Sequence, residues 1–497
     1  MDAVSYSHSA KQAQRIEKFI KNPDSNSGIV TVPKVIGAGE SVTVPAGRVA
    51  VLPNVQVNGT LNVEGEVFIP SGATLSKVVE LEGDQIISDT KTFLESPIVP
   101  TPTTDTQAVN KVYVDNQIAN RKSIFTGAYG LDWNETTDTY TRTGSDNYLA
   151  IQSLVRRCVL KADGTVNYYL HPDNSNFKED GTPSKLDGTD GNVMVEVPKF
   201  YYKYEYVTSN GNIIHRHSIS LTPEVGYDVY WSHMHPTEKA YRYYPAYQGY
   251  NSGGVLKSIS GVYPTTNQSI ATFRSQATAN GSGWHQIDFS LYEALILLCI
   301  IEYGTMNIQG TLGQGRTMLT GGSWTGGSLI GITGLSNSLG NKSGNYTFAG
   351  SADAPEADLS FMSYRGCENF FGNVWRFADG INATGANSKT IYVNNNPATY
   401  ASDVFTGDYY STGVVTSGAG GFARKLGNSN KGFFPTDVTG GASNIGTTDY
   451  YYTSATVNTI ALVGGTAHDA LQAGPLGLSV NDASSLVHVA VGSGVAR

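Results

Sequence analysis

Phe361-Met-Ser-Tyr-Arg-Gly-Cys-Glu-Asn-Phe-Phe-Gly-Asn-Val-Trp-Arg-Phe-Ala-Asp-Gly380 is the stretch on which the reading of the fold turns. Aromatic residues at 361, 364, 370, 371, 375 and 377 alternate irregularly with Gly366, Gly372 and Gly380. The spacing fits neither a heptad nor a helical stripe. It predicts short strands and tight turns packed around large rings, where glycine permits close backbone approach.

Within that stretch, Gly372-Asn373-Val374-Trp375 resembles the signature tetrapeptide of the C-type-lectin-like fold of formylglycine-generating enzymes. The same fold occurs in phage tropism determinants diversified by retroelements, and the chain looks closer to that branch. The resemblance implies a mainly β chain with a few helices, ending in a C-type-lectin-like α+β head over 271–497. Arg156-Arg-Cys-Val-Leu160 with the residues that follow it to Phe177, and Asp187 to Tyr206, are similar to recurring segments of phage fibre heads, so the head begins near Lys122. Residues 123–270 are then its β-rich first part.

The composition agrees with such a chain. Of 497 residues only 15 per cent are charged, while Gly (56) and Tyr (30) are abundant. That balance suits β-rich extracellular or virion proteins better than a helical cytosolic enzyme. The formal charge is −9 and no basic run is present, which argues against nucleic acid and anionic membranes as partners. Leu291 to Ile301 is too short to span a bilayer, so no membrane insertion is expected. Met1 to Ser9 lacks the apolar core of a signal peptide. Cys158, Cys299 and Cys367 form no CxxC pair and are odd in number, so stability is expected from packing or oligomerisation.

Residues 1–48 read as a virion-anchoring segment with a short helix, because Ala10, Ala13, Ile16 and Ile20 recur at helical spacing before Asn22-Pro23. Over 49–83 the triplets at Val55, Leu61 and Val67 begin six residues apart, with Gly59, Gly65 and Gly72 as turns. This period suggests a β-helical or interlocked β-prism stem shared by three chains; a β-meander of hairpins is the alternative. Residues 84–122 form a Pro/Thr-rich linker and a short trimerisation helix. There Ala108-Val-Asn-Lys-Val-Tyr-Val-Asp-Asn-Gln-Ile118 resembles a motif of phage tail and head fibres.

Ala162-Asp-Gly164 predicts a hairpin, and Asn192 to Tyr206 predicts a strand bent at Pro198. Beyond the bend, Phe200, Tyr202, Tyr204 and Tyr206 share one face, expected to be core or subunit interface. His215/His217 and His233/His235 lie at i, i+2 spacing, which on a strand places each pair on one face, where it could chelate. On a threefold axis three such pairs could supply six imidazoles to one transition metal, but no cysteine or carboxylate completes a site at conventional spacing. Ordinary polar strand histidines are the expectation, with neither metal nor other cofactor. Ser290 with Glu293 reads as a capping box opening a helix that is apolar all round and therefore buried.

After residue 380 the chain is rich in Asn, Gly, Ser, Thr and Tyr, the vocabulary of adaptable binding loops. Ala461 to Arg497 resembles the terminal strands of retroelement-variable lectins. That resemblance carries the receptor-facing role onto Thr466, His468, Asp469, Gly477, Leu478, Asn481, Asp482, Ser484, Ser485 and His488. Ala473-Gly474 and Gly492 match the scaffold, and Gly494 stands where the family has arginine.

The expected function is therefore that of a non-enzymatic phage fibre, tail or head, on the virion surface. It is a homotrimer, joined to other virion proteins by its amino terminus and binding a host-surface glycan or protein. No catalytic residue is expected: Cys299 and Cys367 lack the adjacent partner that the enzyme branch uses for copper, and the carboxylates are scattered. A decoration fibre with little binding activity is the alternative, and a surface-polysaccharide depolymerase a further one.

Overall fold

A computed structural model describes the strands between Ile29 and Phe68 and, from Gly127 onward, every residue except 145–147, 321–328 and 441–447. The helices expected at 9–20 and 105–118, and the linker at 84–105, lie outside the described residues. The chain divides into two units, Met1–Asn120 and Arg121–Arg497.

In the first unit every described ladder is parallel. Ile29–Val30 pairs with Val49–Val51, which pairs in turn with Glu66–Phe68. Val35–Ile36 pairs with Gln56–Val57, and Ser41–Val44 with Thr60–Val63. Each strand thus bonds to the third strand along, and the triplets six residues apart do not bond to one another. The hairpin alternative needs antiparallel neighbours and is not what these strands form.

The second unit is mainly β, with strands outnumbering helices. One five-stranded sheet runs Asn174–Lys178, Val166–His171, Arg156–Leu160, Asn192–Pro198, Tyr241–Pro245. Its first hairpin turns where Asp163-Gly164 stands, with Gly164 N–H bonded to Lys161 O at 2.8 Å. A second five-stranded sheet runs Asp228–Val229, Tyr201–Ser209, Asn212–Ser220, Tyr129–Asn134, Thr139–Gly144. The strand bent at Pro198 therefore serves two sheets, as its proline foretells. Its aromatic face begins in the core at Phe200 and Tyr202 and surfaces at Tyr206.

The largest sheet has nine strands, in the order Tyr410–Val415, Thr390–Val393, Trp375–Thr384, Asn458–Val463, Leu478–Val480, Tyr450–Thr453, Gly421–Leu426, Pro435–Thr439, with Val491–Gly492 alongside Trp375. One face of it packs on the helix Phe289–Tyr303, whose residues from Phe289 to Ile301 are all buried. Each buried Leu or Ile contributes about 1.5–3 kcal/mol, so this helix anchors the unit through its apolar burial. The core crosses residue 270: Tyr129, Val195, Leu295, Phe370 and Ala461 belong to one cluster. Among the described residues no helix is long and apolar enough to cross a membrane.

The cap of this helix differs from the expected Ser290/Glu293 box. Asp288 is the N-cap, accepting from Leu291 N–H at 3.0 Å, and Ser290 donates its hydroxyl to the same carboxylate. Aspartate is as good a cap as serine, and here it also pairs with Arg242. Glu293 points into the core instead, and burial drives its carboxyl well above the usual range against one opposing bond from Phe433 N–H.

Candidate functional site

Around 361–380 the expected strands and turns are present. Phe361–Tyr364 and Cys367–Glu368 form a hairpin through Arg365 and Gly366, both at positive φ. Tyr364, Phe370, Phe371, Trp375 and Phe377 are buried. Gly372 sits at φ +78°, and a Cβ there would lie 2.6 Å from Arg316 O, so only glycine fits. Its N–H donates to Gly464 O at 3.0 Å, and Trp375 N–H donates to Ala490 O at 3.0 Å. Between them Asn373 donates from Nδ2 to Gln248 Oε1 at 2.7 Å and accepts from Gly331 N–H at 2.7 Å. The tetrapeptide is thus a clamp that holds both ends of the segment 464–490.

That segment separates into buried strands and a raised loop. Thr466, Gly477 and Leu478 are buried, Leu478 being only 3 % exposed, so these expected receptor contacts are not offered to solvent. The reason is the ladder: Leu478–Val480 is bonded on one side to Tyr450–Thr453 and on the other to Asn458–Val463. His468, Asp469, Asn481, Asp482, Ser484 and His488 are half-buried, and Ser485 is exposed. Two groups result. His468 and Asp469 lie in a turn in which Asp469 Oδ2 accepts Thr466 N–H at 2.7 Å. Asn481, Asp482, Ser484, Ser485 and His488 lie on the loop 481–489, tied down by Ser484 Oγ to Asp403 Oδ2 at 2.6 Å and Ser454 Oγ to Asn481 O at 2.6 Å. Burial raises the Asp482 carboxyl and lowers the His488 imidazole.

Between these groups stand residues that the family-based assignment passed over. Tyr450 and Tyr452 share a face of their strand, with ring centroids 4.5 Å apart. Phe422 meets Tyr450 edge-on at 5.2 Å, and Trp375 meets Tyr452 edge-on at 5.8 Å. Tyr452 Oη donates to Gln472 Oε1 at 2.9 Å, joining the aromatic row to the turn at 466–472. Tyr451 faces the opposite way and is fully buried. The signal was present in Asp449-Tyr-Tyr-Tyr452, where alternation on a strand sends the outer two rings to one side.

The scaffold positions explain themselves. A Cβ on Gly474 would lie 2.0 Å from Asp449 Oδ1. Asp449 is buried, accepts from Leu476 N–H at 2.7 Å, and is pushed by burial up to about 8. At Gly494 a Cβ would meet Pro245 Cγ at 2.9 Å and Ile287 Cγ2 at 3.0 Å, so the arginine of the resembling family has no room here.

Of the four histidines, His215 and His217 share a strand, whereas His233 ends a 3-10 helix; His217 Nε2 and His235 Nδ1 are buried without a hydrogen-bond partner. Tyr202 Oη lies 2.8 Å from His217 Nδ1, and Tyr204 Oη lies 2.8 Å from His215 Nδ1. His233 Nδ1 lies 2.9 Å from Ser232 Oγ, while His235 Nε2 faces His285 Nε2 at 3.2 Å. Burial lowers His217 and His233 to about 3 and His285 to about 4, and lowers His235 as well. Next to them Arg242 donates to Asp288 at 2.8 Å in a fully buried pair. Burial alone raises Asp288, yet Arg242 and the two histidines hold it below the usual carboxylate range. Among the described residues no group of three or more metal-ligating side chains converges. The two best-formed hollows each hold about 10 Å³, room for one water; one is lined by Asn373, Thr466, His468 and Ala490. The three cysteines are free and buried, and burial raises each thiol.

In comparison with known proteins, no family model and no curated protein matches this chain.

Proposed function

We propose that the chain is a non-enzymatic phage fibre, a trimer whose C-type-lectin-like head binds a receptor on the bacterial surface. The parallel winding of the strands between Ile29 and Phe68 supports a stem, since each turn leaves edges that only a neighbouring turn or chain can cover. The observation that carries the reading is the half-buried Tyr450/Tyr452 row, bonded through Gln472 to the polar turn 466–472, with the polar loop 481–489 leaving the strand next to it. Their roots are clamped by Gly372–Trp375, so the side chains are presented by a stiff support. Rigid rings with adaptable hydrogen-bonding neighbours are the vocabulary of recognition surfaces. Shallow contacts of this kind are individually weak, and three copies on one stem raise avidity by roughly 10² or more.

The test uses the purified full-length chain on a panel of bacterial cells, with and without replacement of 481–489 by a Gly/Ser loop of equal length. Loss of adsorption with unchanged thermal melting and unchanged trimeric mass in solution is expected. Adsorption indifferent to the replacement would overturn the site, and a monomeric mass would overturn the stem. Burial of Thr466, Gly477 and Leu478 favours a second reading, a decoration fibre with little binding. Failure to adsorb to any cell of the panel, with the trimer intact, is its expected outcome.

A further inference from the structure

Resting on that adhesin reading, we infer that the ligand of this surface is a non-anionic carbohydrate, an uncharged or amino-substituted sugar chain laid along Tyr450 and Tyr452. Gln472 and Asp469 lie beside Tyr452 as partners for the sugar's hydroxyls and amines, and the loop 481–489 follows the strand paired with that of Tyr452.

The charge pattern of the face is the main argument. Between Lys431 and Arg497 the chain contains no lysine or arginine, while the half-buried Asp469 and Asp482 fall within that span. A phosphate, sulfate or sugar carboxylate docked here would find no counter-charge and would face carboxylates, an arrangement that costs affinity. Cations of the neighbouring strands lie against carboxylates or backbone, Lys425 being the register partner of Asp437. Arg424, on the strand of Phe422, is paired with Asp437, and the Lys389 ammonium donates to Thr456 O.

Aromatic geometry supplies the second argument. Tyr452 is held at both ends, by Gln472 at its hydroxyl and by Trp375 against its ring, so its orientation is fixed before any ligand arrives. Half-exposed rings fixed in this way offer a flat apolar surface to the C–H faces of a sugar. Around them the polar groups are mixed acceptors and donors. Gln472 offers an amide whose oxygen is engaged by Tyr452, leaving its N–H groups to donate, and the aspartates accept from hydroxyls and ammonium groups. Ser479 is the register partner of Tyr452, and Asn481 follows it two residues on, at the margin of the row. Neither of the two hollows described above is lined by Tyr450 or Tyr452, and a chain of sugars lying across a surface suits the row better than a small enclosed ligand.

The experiment presents the full-length chain to an array of neutral, amino-bearing and acidic glycans, and to bacterial cells treated with periodate or with protease. Signals confined to neutral and amino sugars are expected, those of the neutral sugars unaffected by added salt and those of the amino sugars weakened by it. Periodate treatment of the cells should abolish adsorption. Tyr450→Ala should weaken binding roughly tenfold, and Tyr450→Phe should retain it. Should Tyr450→Ala lower the melting midpoint, Gln472→Ala on the exposed turn carries the same test. Preference for phosphorylated, sulfated or sialylated glycans would overturn the inference. Adsorption that survives periodate and is lost to protease would make the receptor a protein, sinking the inference while leaving the adhesin reading standing. Absence of adsorption to any untreated cell would remove both.

Discussion

Residues 476–480 and 490–496 are sealed inside the protein, whereas the loop 481–489 between them is half-buried or exposed throughout. The sealed stretches hold serine as their only polar residue, whereas the loop carries Asn481, Asp482, Ser484, Ser485 and His488. What the backbone must bond separates them further. Leu478–Val480 has a strand on each side, and Val495–Ala496 pairs with His285–Gln286. The loop instead meets its neighbours through isolated bonds, Asp482 O to Ile460 N–H at 3.0 Å and His488 O to Asn267 N–H at 3.0 Å. Exposure here follows the ladder as well as the residue type, and a segment can be sealed and open to solvent by turns within a few residues.

The sealed side should fail first in acid. His217, His233 and His285 are neutral in the folded protein, with values lowered from 6.5 to about 3, about 3 and about 4. Groups depressed on folding contribute stability that is present above about 6.5 and lost as the pH falls toward those values. Each tenfold in proton affinity is worth about 1.4 kcal/mol, so three such groups make this the largest effect. Denaturant midpoints measured from pH 7 down to pH 4 should fall steeply, and a flat profile would contradict the burial of these rings.

Arg242→Ala removes the partner of buried Asp288 at the start of the long helix and should cost about 3–5 kcal/mol, read as a lowered unfolding midpoint. Gly494→Arg, which installs the residue the resembling family carries, should cost about 1–3 kcal/mol through overpacking against Pro245 and Ile287. A neutral effect would mean that the terminal strands are looser than their ladders imply.

Asp449→Asn carries the opposite sign. The native carboxyl is raised from 3.8 to about 8, so its contribution is present below about 3.8 and is lost as the pH rises through 8. The isosteric amide keeps an acceptor for Leu476 N–H and should raise stability at pH 8 by about 1–3 kcal/mol, with the gain vanishing near pH 4. On the raised loop, Ser485→Ala should change stability by no more than about 0.5 kcal/mol. The contrast between that value and the effects at Arg242 and Gly494 is the comparison in its sharpest form.

Several local features were legible in the residues themselves. Asp163-Gly164 marked a hairpin, Pro198 marked the passage of a strand between two sheets, and the aromatic and glycine spacing of 361–380 marked turns around buried rings. The all-apolar run at 291–301 declared its own burial. Its cap is Asp288 and not Ser290: the two are equally good caps by type, and in the fold Asp288 takes the Leu291 N–H while pairing with Arg242 from a distant strand. The six-residue period from Val55 was legible as repetition, but which strand bonds to which was not, because a six-residue spacing fits both neighbouring and third-neighbour pairing.

What the sequence determined by itself was local and compositional. Turn chemistry, side-chain alternation and the poverty of charge each depend on residues close together in the chain. The tertiary structure alone decided that Gly372–Trp375 clamps the ends of a segment about a hundred residues away, and that Thr466 and Leu478 are sealed while Asn481 is raised. It also decided that Tyr450 and Tyr452 stand beside Gln472. The physical reason is that burial and adjacency come from long-range strand pairing, and the energy of that pairing is shared among residues that no short window contains together.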